Sequence, residues 1–145
     1  MSDKREAVVR RYIQEVWNHG KLEVIDELLT NDFVNHDPIE PARGRDGMRD
    51  LVRKYRTAFP DVRCEIQDLF SAGDRVVARL RYTGTHRSAL EGIPPTGRQA
   101  IVTEILIASF VGERIREVYA NWDALGLMQQ LGVVTLPGKS ASAGV

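Results

Sequence analysis

Apolar residues recur at helical spacing in two stretches of the N-terminal part and alternate with polar ones through most of the C-terminal part. Val9, Tyr12, Ile13, Val16 and Trp17 keep the 3.6-residue period of one buried helix face, with Ser2 or Asp3 as cap and His19-Gly20 as stop. Leu22 to Leu29 reads as a short second helix, and residues 32–37 read as an extended segment ended by Pro38. Met48, Leu51, Val52, Tyr55 and Phe59 form the stripe of a third helix, which Pro60-Asp61 breaks.

From there the period becomes two. Val62, Cys64 and Ile66 alternate on one strand, and Val76, Ala78, Leu80 and Tyr82 on the next, after a turn at residues 71–74. Residues 99–110 and 114–123 are longer β segments joined by a turn at Val111-Gly-Glu113, and they predict a central hairpin. A short helix over residues 124–131 comes next, and residues 137–145 predict a flexible tail behind a single domain of residues 1–136. Helices first and strands afterwards place the chain in the α+β class. The expected architecture is an antiparallel sheet curled around helices, with a cone-shaped cavity at its open end suited to apolar ligands.

Charge narrows the choice of ligand. Lys plus Arg and Asp plus Glu both number 20, so no net field favours nucleic acid or an anionic membrane, and a small, weakly charged molecule fits better. The single cysteine, Cys64, excludes an intrachain disulfide, and the opening MSDKREA lacks the layout of a signal peptide. With no apolar run near the roughly 18 residues that span a bilayer, a cytoplasmic location is expected.

The chain contains no HExxH, paired CxxC, Walker loop or GxGxxG, so no cofactor is expected. His36, Asp37, His86 and Glu104 have ligating chemistry but no metal-ligand spacing, and no metal is expected either. Acid/base chemistry remains. Asp123 stands where a mainly apolar strand meets a short apolar helix, where desolvation would make its carboxylate a better base near neutral pH; it is equally placed to cap that helix. His86 ends a strand just after Gly84 and before the stiff Ile93-Pro-Pro-Thr96. It either supports an oxyanion or ties the loop down.

His36 shows the same ambiguity beside Asn35 and Asp37, with Asp37 expected in a structural role. Glu104 shares a strand face with Val102, Leu106 and Ala108, as either a cavity residue or half of an ion pair. Tyr119 and Trp122 are candidates to line an aromatic ligand, together with Phe33, Ile93 and Met128. Trp17, Tyr55 and Tyr82 read as packing, and His19 as an ordinary helix-end residue.

Several segments, in order, resemble the SnoaL-like family of polyketide cyclases. They are Glu15-Val-Trp-Asn18, Phe33-Val-Asn-His-Asp-Pro38, Ala58-Phe-Pro-Asp61, Gly73-Asp-Arg-Val-Val77, Gly84-Thr-His86, Gly92-Ile-Pro-Pro-Thr-Gly97 and the stretch from Asp123 to Gly132. The resemblance implies the NTF2-like fold, a cone-shaped α+β barrel whose open sheet faces pair into homodimers or homotetramers. It also implies a cavity acid/base, matched here by Asp123, acting without cofactor or metal in an intramolecular aldol condensation, with His86 and His36 matching the family's histidines. Ser109-Phe110 departs from the arginine common in the family at that strand, and Val111-Gly-Glu-Arg114 from its usual turn. The first expectation is therefore cyclisation of a polycyclic aromatic polyketide. The others are a hydroxylase acting on a similar substrate with a reductase partner, and a non-catalytic small-molecule-binding module.

Overall fold

The structure, a computed structural model, describes residues 2–138 of the 145-residue chain. Helix α1 (Ser2–Arg11) has Asp3 in its first turn and Arg10 and Arg11 in its last, each at the end where the helix dipole favours its charge. The expected α-helix does not continue to its stop. Tyr12–Asn18 winds as a π-helix, and the His19 N–H reaches back five residues to the Gln14 carbonyl at 3.1 Å. Val9, Ile13 and Val16 are fully buried, and their spacing does not reveal the wider winding. Gly20 turns the chain at φ +68°, and a Cβ there would stand 2.7 Å from Nε of Arg56. That guanidinium donates to the Trp17 and Asn18 carbonyls at 2.5 and 3.2 Å, satisfying groups the helix end leaves open.

The expected second helix divides into a 3₁₀ turn (Leu22–Val24) and α2 (Ile25–Leu28). β1 (Leu29–Asn35), the short β2 (Ala42–Arg43) and α3 (Gly44–Ala58) come after it, α3 stopping before Pro60 as its stripe predicts. β3 (Arg63–Ala72), β4 (Arg75–Thr85), β5 (Gln99–Val111) and β6 (Arg114–Trp122) make an antiparallel meander. One pairing departs from the expected antiparallel sheet: β1 runs parallel to β6, giving the order β2-β1-β6-β5-β4-β3. The sheet is curved and unclosed, its free edges being β2 and β3. Register shifts at Ile66/Asp68 and Ser109/Phe110 bend its strands as bulges do. α4 (Ala124–Gln130) closes one end.

α1 and the π-helical turn pack on β3, and α3 lies across β1 and β2. The main core joins Val9, Ile13, Leu28, Phe33, Leu80 and Ile115; a smaller cluster gathers Phe59, Leu90, Leu127 and Leu131 under α4. Each such side chain, fully buried, contributes about 1.5–3 kcal/mol. Tyr55 and Tyr82 touch both clusters, and the space between the clusters is where the sheet and helices stop filling one another. Among the described residues no helix is long and apolar enough to cross a membrane. Of the expected tail, residues 139–145 lie outside the described residues.

Candidate active site

The inner sheet face and the helices enclose a mainly apolar cavity with a few polar groups, the make-up of sites that take small organic ligands. Strand alternation decides which side chains reach it. On β5, Ala100, Val102, Glu104 and Leu106 point inward; on β6, Val118, Ala120 and Trp122 do. Asn35 and Asp37 enter from β1 and its loop, and Tyr12, Trp17 and Tyr55 from the helical side.

Glu104 is the acid among these walls. It faces Leu80 and Trp122 across its neighbouring strands, and the surface it retains opens into the cavity. Burial pushes its carboxyl up to about 7, against a hydrogen bond from Tyr82 that lowers it, while the charge of Asp37 raises it further. A carboxyl so placed exchanges protons near neutral pH.

Asp37 has a structural part as well as a cavity face. Its Oδ1 accepts the Ile39 and Glu40 N–H groups at 2.8 and 3.1 Å, turning the chain so that Glu40 joins the wall. Glu40 accepts the Tyr55 hydroxyl at 2.5 Å and Lys54 Nζ at 3.0 Å, and Lys54 also pairs with Glu91. Trp122 meets Tyr55 edge to face with centroids 6.1 Å apart. Among the described residues, the cavity-lining side chains thus include three carboxylates and no Lys, Arg or His.

Other expected site residues stand elsewhere. Asp123 is exposed, and its Oδ1 accepts the Gly126 N–H at 2.9 Å as the N-cap of α4. It borders a separate hollow with Arg81, Thr103 and Gln130. The burial expected at Asp123 falls on Glu104 instead, because the strand's inner face ends at Trp122 and the chain turns outward. His86 is fully buried, yet it does not line the cavity. Its Nδ1 accepts the Thr96 N–H at 3.2 Å, which puts the proton of a neutral ring on Nε2. Phe59, whose ring centroid is 5.4 Å from that of His86, lines the cavity in its place.

Ile93 and its prolines are not among the lining residues either. The loop folds back through paired Leu90 and Ile93 backbone bonds, and Leu90 fills the smaller core. His36 and Tyr119 project from the outer sheet face, one residue from inward Asn35 and Ala120 respectively. They stack 4.5 Å apart, with His36 Nε2 3.0 Å from Glu117. Phe33 belongs to the main core, and Met128 packs on the smaller one. Of the four side chains with ligating chemistry, Asp37 and Glu104 share the cavity, while His36 and His86 stand outside it. Sequence reasoning missed Tyr12, Glu40 and Asp37 as cavity groups, and it took Trp17, Tyr55 and Tyr82 for packing alone. Their spacing is that of core residues, and the hydroxyls of the tyrosines are the only local sign of another role.

Comparison with known proteins agrees with this geometry. The aklanonic acid methyl ester cyclase DauD of Streptomyces sp. (strain C5) is 30% identical over 130 residues, covering 86% of this chain and 80% of that one. The nogalonic acid methyl ester cyclase of Streptomyces nogalater is 29% identical over 120 residues, covering 80% and 89%. A candidate polyketide cyclase from Acidithiobacillus ferrooxidans superposes with a TM-score of 0.80 at 33% identity, covering 88% of this chain and 94% of its own. The family model described as SnoaL-like polyketide cyclase matches residues 7–131, from α1 through α4 and so around the whole cavity, and the chain belongs to that family.

Proposed function

We propose that the protein closes a ring in an aromatic polyketide ester by an intramolecular aldol reaction that needs no cofactor, with Glu104 as the acid/base. The supporting observation is the position of Glu104: an acid with its carboxyl pushed up to about 7, walled by aromatic and aliphatic side chains. Its carboxylate takes a proton from the carbon α to a carbonyl. The enolate carbon then attacks a second carbonyl, forming the C–C bond, and the resulting alkoxide recovers the proton from Glu104. Atoms and charge balance with no other reactant. A positioned base is worth about 10²–10⁴-fold, and holding both carbons in one cavity supplies much of the rest.

The lining favours an ester over a free acid. Asp37 and Glu104 face the ligand with no Lys or Arg among the lining residues, Glu40 being paired with Lys54, so a substrate carboxylate would meet like charge in a poorly solvated space. DauD and its relatives, by name, act on methyl esters.

The test is turnover of aklanonic acid methyl ester by purified parent, Glu104→Gln and Asp123→Asn proteins. Glu104→Gln is expected to lose at least about 10²-fold. Asp123→Asn keeps a capping oxygen and is expected to stay within a few-fold of the parent. An Asp123→Asn loss as large as that expected of Glu104→Gln would return the role to Asp123. Turnover by the parent is expected without oxygen; a product carrying label from dioxygen would make the protein a hydroxylase.

A further inference from the structure

Tyr12 and Trp17 stand five residues apart on the only stretch of the first helix that leaves α geometry. π-helical turns of this kind recur at functional sites. On an α-helix, at 3.6 residues per turn, such a pair would point about 140° apart. In the wider turn both side chains line the cavity, and the Trp17 indole N–H, which can only donate, stands close enough to the Tyr12 hydroxyl to make it more acidic than burial alone would leave it.

The phenolic protons of the cavity can be followed one by one. Tyr55 gives its proton to Glu40 at 2.5 Å, and the Tyr82 hydroxyl is close enough to the Glu104 carboxyl for each to shift the other's titration. Among the described residues no acceptor takes the proton of the Tyr12 hydroxyl. The Tyr12 side chain is 3% exposed. Burial first, and the Glu104 charge after it, push its hydroxyl well above the usual phenol range, so it stays a donor throughout the working pH range.

We propose that Tyr12, brought to the cavity beside Trp17 by the π-helical turn, donates a hydrogen bond to the substrate carbonyl oxygen whose α-carbon Glu104 deprotonates. This rests on the acid/base reading of Glu104 given above. As the C–H bond breaks, its proton goes to Glu104 and its electron pair delocalises onto the carbonyl oxygen, where the Tyr12 O–H meets the growing charge. Tyr12 keeps its proton. When the new C–C bond forms, the carbonyl is restored and the hydrogen bond weakens, so the donor favours the enolate over substrate and product. Removing one such donor costs about 10²–10³-fold in kcat where it has been measured.

The experiment compares binding of 2-naphthol, whose flat ring and ionisable oxygen imitate an enolate, with binding of naphthalene, which has the ring alone. Tyr12→Phe is expected to weaken 2-naphthol at least tenfold and naphthalene less than twofold. Trp17→Phe, which keeps the Tyr12 hydroxyl but removes the indole N–H that makes it a stronger donor, is expected to weaken 2-naphthol about threefold or more relative to naphthalene, and it carries the test if Tyr12→Phe does not fold. An equal loss for both probes, or none for 2-naphthol, would leave Tyr12 a packing residue and overturn the proposal. Neither probe reacts, so a parent protein that fails to cyclise the ester would sink the cyclase reading while this comparison still decides the role of Tyr12.

Discussion

Glu104 is set where its charge loses the solvation it would have in the unfolded chain, and the same circumstance that makes it a base makes it a stability liability. Its carboxyl rises from an ordinary 4.5 to about 7 on folding, so between those values the native protein holds a proton that the unfolded chain has released. Its contribution to stability is therefore full below pH 4.5 and is lost as pH rises through about 7. At about 1.4 kcal/mol per unit, the loss approaches about 3 kcal/mol. Glu104→Gln, which cannot ionise, should unfold at higher urea concentration than the parent at pH 8 and at nearly the same concentration at pH 4.5. Equal midpoints at pH 8 would show that the carboxylate is solvated after all. That Glu104 shares a face with Val102, Leu106 and Ala108 was legible from strand alternation, but whether that face lined a cavity or held an ion pair was not. Nor were the places of Asp123 and His86, since a sequence shows what stands beside a residue and not what comes between it and a cavity. Phe59, brought in from another element, packs its ring against that of His86.

The elements with a strong period were readable: both long stripes became helices, and all four meander strands lie where alternation puts them. The π-helical turn was not, because its distinction lies in a backbone bond from His19 to Gln14 that the apolar positions do not encode. The parallel β1–β6 pair was also invisible, being set by how α3 carries the chain across the sheet. A different device finishes β5. Its pairing with β6 ends at Glu104↔Trp122, which leaves Ile101 without a strand on that side. Gln130 of α4 takes the missing strand's place: its Oε1 accepts the Ile101 N–H at 2.7 Å and its Nε2 donates to the Ile101 carbonyl at 2.8 Å. Gln130→Leu fills similar space but leaves both backbone groups unpaired. It should cost about 1–3 kcal/mol in urea unfolding and speed hydrogen exchange of the Ile101 amide. Unchanged exchange there would mean that α4 docks by its apolar side chains alone.

Considered whole, the molecule covers one face of its sheet with helices and leaves the other bare. Phe70, Val77, Ile107 and Tyr119 lie in register across β3, β4, β5 and β6, and His36 continues the row by stacking on Tyr119. Phe70 and Ile105 are each 55% exposed and Tyr119 is 46%, so an apolar band crosses the outer face between Arg79–Asp68 and His36–Glu117 pairs. Bands of this extent on soluble proteins mark interaction sites. A second copy of the chain is the simplest partner, because a two-fold axis near β5 would set each row against its equivalent and bury both at once. The cavity opens on the opposite face and would remain accessible. Sedimentation at micromolar concentration is therefore expected to give at least twice the chain mass, and Ile105→Glu with Tyr119→Glu to give a folded monomer, since the pair places like charges in the centre of the contact. A parent protein that sediments as a monomer would leave the band without this partner. A dimer indifferent to both substitutions would move the interface to another surface.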